Sequence, residues 1–133
     1  MLFTINIVTH QRNELIDITH HIKDFVQKSN VKSGLVVVHV PHTTAAVSIN
    51  ENADPSVKSD IVKTMNSLIP QSNSYSHYEG NSDAHIKSSL FGPQLSLIIE
   101  NGELLLGTWQ GIIFCEFDGP RHRKCYVKIF KDQ

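Results

Sequence analysis

Gly34-Leu35-Val36-Val37-Val38-His39-Val40-Pro41 decides how the rest of the chain must be arranged. The run is apolar on both faces and rich in β-branched residues, the pattern of a central strand covered on both sides. Pro41 has no N–H to give to a ladder and closes the run. Toward the N-terminus, Thr19 can cap a helix reaching about Asn30, with Ile22, Phe25 and Val26 as its apolar stripe. Before it, residues 2–8 and 14–18 read as strands around a turn at Gln11-Arg12-Asn13. Toward the C-terminus, residues 44–50 alternate, with Ala45, Val47 and Ile49 facing one way and Thr44, Ala46, Ser48 and Asn50 the other.

Asp54-Pro55 opens a second helix, the aspartate as cap and the proline at the first helical position, and the helix runs to about Leu68 before Pro70. A polar loop covers residues 71–81. A short helix follows, capped by Asn81 or Ser82 and ended by Gly92-Pro93, with Ile86 and Leu90 expected inward. Asn101-Gly102 joins strands at about 94–100 and 103–107 as a hairpin. The runs 110–118 and 124–130 flank the loop Gly119-Pro120-Arg121-His122-Arg123. This order predicts one α+β domain over residues 1–133, a mixed, mostly antiparallel β-sheet with helices packed on one side.

Composition narrows the function classes. A chain of 133 residues is long enough for one real core. Twelve basic against 13 acidic residues provide no concentrated basic face, which argues against nucleic acid as a partner. The charged fraction, 19%, is low for a soluble surface and points to surface covered by oligomerisation. No segment approaches the ~20 apolar residues of a membrane span. Met1-Leu2-Phe3-Thr4 carries no basic leader, so a cytoplasmic location is expected. Cys115 and Cys125 lie in strand-like runs and read as buried reduced thiols rather than a disulfide; two cysteines alone cannot fill a zinc site.

Three polar segments can carry chemistry. The first is His42-Thr43-Thr44 with Asn50-Glu51-Asn52 beyond it, a histidine at a strand end followed by a row of small hydrogen-bonding groups; a solvated sheet face explains it equally. The second is His77-Tyr78-Glu79-Gly80-Asn81-Ser82-Asp83-Ala84-His85, whose helix N-terminus suits an anion, against the plainer reading of a capped helix with surface histidines. The third is Gly107-Thr108-Trp109-Gln110-Gly111 followed by Glu116 to Arg123. Glu116 and Asp118, two apart on a strand and roughly 7 Å from one another, share a face and need a cation or arginine partners. Arg121 and Arg123 can supply that charge or clamp a phosphate; a salt-bridge network is the alternative. Trp109 fits core packing, an interface or ligand stacking.

Together these segments resemble the YjbQ-like family, whose members are described as secondary thiamine-phosphate synthases. The matching stretches are His42-Thr43-Thr44 with Asn50-Glu51, then Glu79-Gly80-Asn81 with Asp83-Ala84-His85-Ile86-Lys87, then Gly107-Thr108-Trp109-Gln110, then Glu116 with Asp118-Gly119-Pro120-Arg121 and Arg123. The resemblance implies an α+β domain assembled as a homotrimer. It also implies an activity that joins a pyrimidine pyrophosphate to a thiazole phosphate with release of pyrophosphate, a weak or secondary one. Beside it, the residues themselves suggest His42, His77 and His85 converging on a cleft, where three neutral imidazoles would hold a divalent metal, zinc or magnesium, or three protonated ones an anion. His42, His85, Glu116 and Arg121 are then the catalytic candidates. Thr43, Thr44, Asn50, Glu51, Asn81, Trp109, Gln110, Asp118 and Arg123 are the candidates for holding a phosphorylated substrate. No organic cofactor is implied. An enzyme of phosphorylated or pyrophosphorylated small molecules, a non-catalytic binder of a phosphorylated metabolite or metal ion, and a structural trimer with a polar interface network remain the three functional expectations.

Overall fold

In the computed structural model, which describes Met1–Gln133, the apolar run becomes β3 (Gly34–His39) and lies between β5 (Gln94–Glu100) and β8 (His122–Lys131). With β1 (Leu2–Val8) beyond β8 and the two-residue β6 (Glu103–Leu104) beyond β5, these strands make a five-stranded sheet. A second sheet holds three strands in the order β2 (Glu14–Asp17), β7 (Gln110–Glu116), β4 (Ala45–Glu51). The α+β class agrees with the sequence. The single mixed sheet expected there is instead two sheets, and every strand pairing in them is antiparallel.

The reason lies in β4 and β7, which are apolar on both faces. Ala45, Val47, Ile112 and Phe114 meet Ile5, Val36, Val38, Ile99, Cys125 and Val127 of the larger sheet in the main core. Ala46, Ile113, Cys115 and Phe117 face the other way and enclose Ala84 of a helix. A two-sided strand pair calls for a layer on each side, so the three-stranded sheet becomes the middle layer. β3 does the reverse of what its composition suggests: Val36 and Val38 are fully buried, while Leu35 is exposed and Val37 and His39 are only half-buried. One face of the larger sheet therefore stays uncovered in the single chain. Both cysteines are free and buried, as expected, and burial pushes each thiol up to about 12.

Helix α1 (Thr19–Ser29) seats Ile22 and Val26 in the main core. Its first turn is held by Asp17, not by Thr19: the Asp17 carboxylate accepts the Thr19 N–H at 2.9 Å and the Thr19 hydroxyl. That hydroxyl in turn accepts the Ile112 N–H at 2.9 Å, tying helix to sheet. Helix α2 (Pro55–Leu68) is capped as read, Asp54 accepting the Ser56 N–H at 2.9 Å, yet none of its residues is buried. Helix α3 (Ser82–Phe91) overturns an expectation. Ile86 and Leu90 are exposed, while Asp83, Ala84, Lys87 and Ser88 are buried. The face turned inward is chosen by fit to Ala46 and by a buried ion pair, since Lys87 Nζ donates to Asp83 at 2.9 Å and to Asn66 of α2 at 2.7 Å.

Candidate functional site

Glu116 ends β7 on its core-facing side, and Arg123, the second residue of β8, lies on the side that faces it. Their carboxylate and guanidinium form a buried ion pair between the two sheets, with Arg123 Nε donating at 2.9 Å. The Thr9 hydroxyl donates to Glu116 at 2.8 Å, and the Asp118 N–H at 3.1 Å. Arg123 also donates to the Thr44 hydroxyl at 2.8 Å. Glu116 is fully buried and its carboxylate is engaged by Arg123, Thr9 and the Asp118 N–H, so the pair joins the two sheets from within the core.

Asp118, two residues on, belongs to a second and more open cluster. Its carboxylate accepts from Arg12 at 3.2 Å, from Asn81 at 2.9 Å and from Arg121 at 3.0 Å. Burial pushes the Asp118 carboxyl up, but the hydrogen bonds from Asn81 and Arg121 and the charges of Arg121 and Arg12 outweigh it and hold it below its ordinary value. Arg12 bridges onward to Asp83 at 3.0 Å, and Asp83 meets the buried Lys87. The turn between β1 and β2, the segment after β7 and the first turn of α3 are thus tied by charge. Gly119 lies at the crossing: its N–H donates to Arg12 O at 3.0 Å, and a Cβ there would collide with the backbone of Gln11. Arg12, Lys87 and Thr9 had no place among the sequence candidates. Arg12 sits alone in a turn, and only the fold brings it to Asp118.

Arg121 is the member of this cluster that reaches water, its side chain 51% exposed while Asp118 holds its other edge. The free N-terminus of α3 stands beside it through Asn81, and His85 follows one turn later. His77 and His85 meet edge to face, ring centroids 5.5 Å apart, around a depression shared with Tyr75 and Ser82.

His42 does not join them. Its Nε2 accepts the Lys124 N–H at 2.9 Å, extending the contact with β8 past the end of β3 at His39. Burial, aided by the charge of Arg123, pushes its pKa below the ordinary value. No group of three His, Cys, Asp or Glu side chains in the chain is arranged to hold a metal. The expected His42, His77 and His85 metal set is therefore not assembled within the chain: His77 and His85 lie together, while His42 Nε2 is engaged by β8. Thr43 stays at the surface; its carbonyl accepts the Ser88 hydroxyl at 2.6 Å.

Asn50, Glu51, Trp109 and Gln110 lie elsewhere again. Glu51 pairs with Gln110 and Ala45 with Glu116 at the two ends of the β4–β7 ladder. At ~3.3 Å per residue those ends are about 20 Å apart. At this far end the polar groups serve local turns: Asn50 accepts the Glu51 N–H at 2.7 Å, Glu51 the Ala53 N–H at 3.0 Å, and Gln110 the Gly107 N–H at 2.8 Å. Trp109 is exposed, so core packing is not its role. The candidates form two separate groups in one chain rather than one site.

The comparisons with known proteins agree with this architecture. A family model described as UPF0047 protein YjbQ-like matches residues 3–132. The chain is 57% identical over 133 residues to UPF0047 protein MJ1081 of Methanocaldococcus jannaschii, covering all of this chain and 96% of that one. It is 50% identical over 130 residues to UPF0047 protein YugU of Bacillus subtilis, with 97% and 98% covered. Among solved structures it is similar to a yjbq/upf0047 family protein from Clostridium acetobutylicum, with TM-score 0.95, 52% identity, and 96% and 99% of the two chains covered. A Sulfolobus solfataricus protein superposes with TM-score 0.96 at 32% identity, with 99% and 97% covered. On the extent of the family match and the identity of these relatives, the chain belongs to the UPF0047 YjbQ-like family.

Proposed function

We propose that the chain is a small cytoplasmic enzyme acting on phosphorylated or pyrophosphorylated small molecules, with thiamine-phosphate synthase chemistry as a weak or secondary activity. The observation that carries this reading is Arg121, a half-exposed guanidinium held at the N-terminus of α3 in a cluster of three cations and two carboxylates, Arg12, Lys87 and Arg121 against Asp83 and Asp118. Such a cluster keeps a surplus of positive charge, and the free N–H groups of the helix add to it. When a pyrophosphate leaves, negative charge builds on its oxygens, and a pre-set arginine stabilises that charge more than it stabilises the ground state. His77 and His85 supply hydrogen bonds or a proton at the edge of the same surface. No step is assigned to a metal, since one chain lacks the ligand set for it.

The experiment is pyrophosphate release from a pyrimidine pyrophosphate with a thiazole phosphate. Arg121→Ala is expected to lower turnover more than it raises the Michaelis constant, a loss on the order of 2–4 kcal/mol of transition-state stabilisation. His85→Ala should cost at least as much. Equal slow rates in all three proteins would replace the enzyme with a binder. One observation favours that second reading: Glu116 is sealed in the core and Asp118 and Asp83 are engaged by arginines, so no unoccupied carboxylate stands beside Arg121 to act as base.

We also propose assembly as a homotrimer. Leu35 is paired across the sheet with Phe130 on one side and Ile98 on the other, and all three are exposed on the uncovered face. An apolar strip of this kind calls for a partner. Assembly would also allow the far group around Trp109 of one subunit to approach the Arg121 group of the next.

A further inference from the structure

We propose that the groove between α2 and the three-stranded sheet is a binding site for a small ring-shaped molecule, neutral or cationic, that carries N–H donors. The groove encloses about 470 Å³, within the size range of small-molecule pockets. It lies against the face of the sheet opposite the main core and does not depend on the phosphate reading of Arg121. Val57, Ile61 and Met65, four residues apart on α2, form one wall, and Leu15, Ile113 and Cys115 form the floor. The helix stands off the sheet, so none of these α2 residues is buried although their stripe faces it. Two apolar surfaces that face one another without closing are the walls of a slot for a flat apolar body.

The polar groups on this slot select the class of occupant. Ser48, Asn50, Asp60 and Thr64 line it. Asn50 spends its carbonyl oxygen on the Glu51 N–H at 2.7 Å, which leaves the hydroxyls and the carboxylate as the acceptors for a ligand N–H. The Ser48 and Thr64 hydroxyls and the Asp60 carboxylate have no partner in the chain. Asp60 is the sole charged side chain in the lining, so an anionic ligand is opposed and a protonated amine favoured. The Cys115 thiol, pushed up to about 12 by burial, stays protonated and takes no part as a nucleophile. Binding is non-covalent.

Three probes with one ring and different charges test this: tryptamine, indole and indole-3-acetate, titrated into the isotope-labelled protein by two-dimensional NMR. Tryptamine is expected to shift the resonances of Ser48, Ile61 and Ile113 and to bind about fivefold tighter than indole, the scale of one exposed ion pair, with indole-3-acetate weakest. Asp60→Asn should bring tryptamine to the affinity of indole. Ile61→Trp should fill the slot and abolish binding of both; Thr64→Trp, at an exposed position on the rim, serves as the blocking variant if the first does not fold. Shifts scattered over other surfaces, indole-3-acetate binding as tightly as tryptamine, or binding that survives both blocking variants would overturn the proposal. So would a slot that none of the probes enters while Ile61→Trp lowers the molecular mass in solution, because a second copy would then be its occupant.

Discussion

Glu116 and Asp118 are two residues apart and live in different worlds. Glu116 faces Arg123 in the core, both side chains buried, so removing its charge leaves a buried guanidinium without a counter-ion. Glu116→Gln should lower the unfolding free energy by about 3 kcal/mol, measured by urea denaturation. A variant of full stability without turnover would return Glu116 to the reacting groups. Asp118 is buried but lies in the more open cluster, and its folded-state pKa lies below the 3.8 of the unfolded chain. Its contribution to stability is therefore complete above pH 3.8 and is lost as the pH falls through the depressed value. Asp118→Asn should flatten the acid limb of a stability–pH curve below that point while shifting the curve down at neutral pH. An unchanged acid limb would show that other carboxylates govern it. The two thiols make a simpler case: with both buried, neither Cys115 nor Cys125 should react with a soluble disulfide reagent at pH 8 until the protein is unfolded.

The helices differ in what anchors them. Helix α1 puts Ile22 and Val26 into the main core, whereas α2 buries nothing and is tied by its cap and by single side-chain bonds, Lys58 to Asn52 at 2.7 Å and Lys87 to Asn66. Local opening follows buried apolar contact, so the amides of α2 should exchange with solvent first and those of α1 last. Hydrogen-exchange mass spectrometry reads this directly, and slow exchange in α2 would mean that assembly covers it. Helix α3 lies between these cases, its buried face largely polar. Lys87 and Asp83 fill positions that an amphipathic pattern reserves for apolar residues, which is why hydrophobic periodicity turns this helix the wrong way.

For the whole molecule, the uncovered face of the five-stranded sheet is the feature that a single chain leaves unresolved. Light scattering should return three times the 15.0 kDa chain mass at micromolar concentration. Leu35→Lys, at the middle of the strip between Phe130 and Ile98, should shift the mass to that of the monomer, because a lysine charge would be buried without a partner. A monomer already in the wild type would sink the trimer and leave the exposed apolar strip without a role. The chain has no helix long and apolar enough to cross a membrane.

Local signals along the chain determined the elements. β-branched alternation, Asn101-Gly102 and Asp54-Pro55 act through backbone geometry and neighbouring hydrogen bonds, and those work over a few residues. The Gly107–Gln110 and Asp118–Arg121 motifs likewise identified the family without any coordinates. Side-chain type also announced that Glu116 and Asp118 would need a cation or arginine partners. Which arginines, and on which side of the sheet, was decided only by tertiary structure, because Arg12 and Asp118 are brought together by the crossing of two loops and Glu116 meets Arg123 across two sheets. The same holds for His42, whose imidazole is claimed by a strand far along the chain, and for the two groups at opposite ends of β4 and β7. Spacing in sequence fixes the order of groups along a strand, but pairing between distant strands sets which of them share a site.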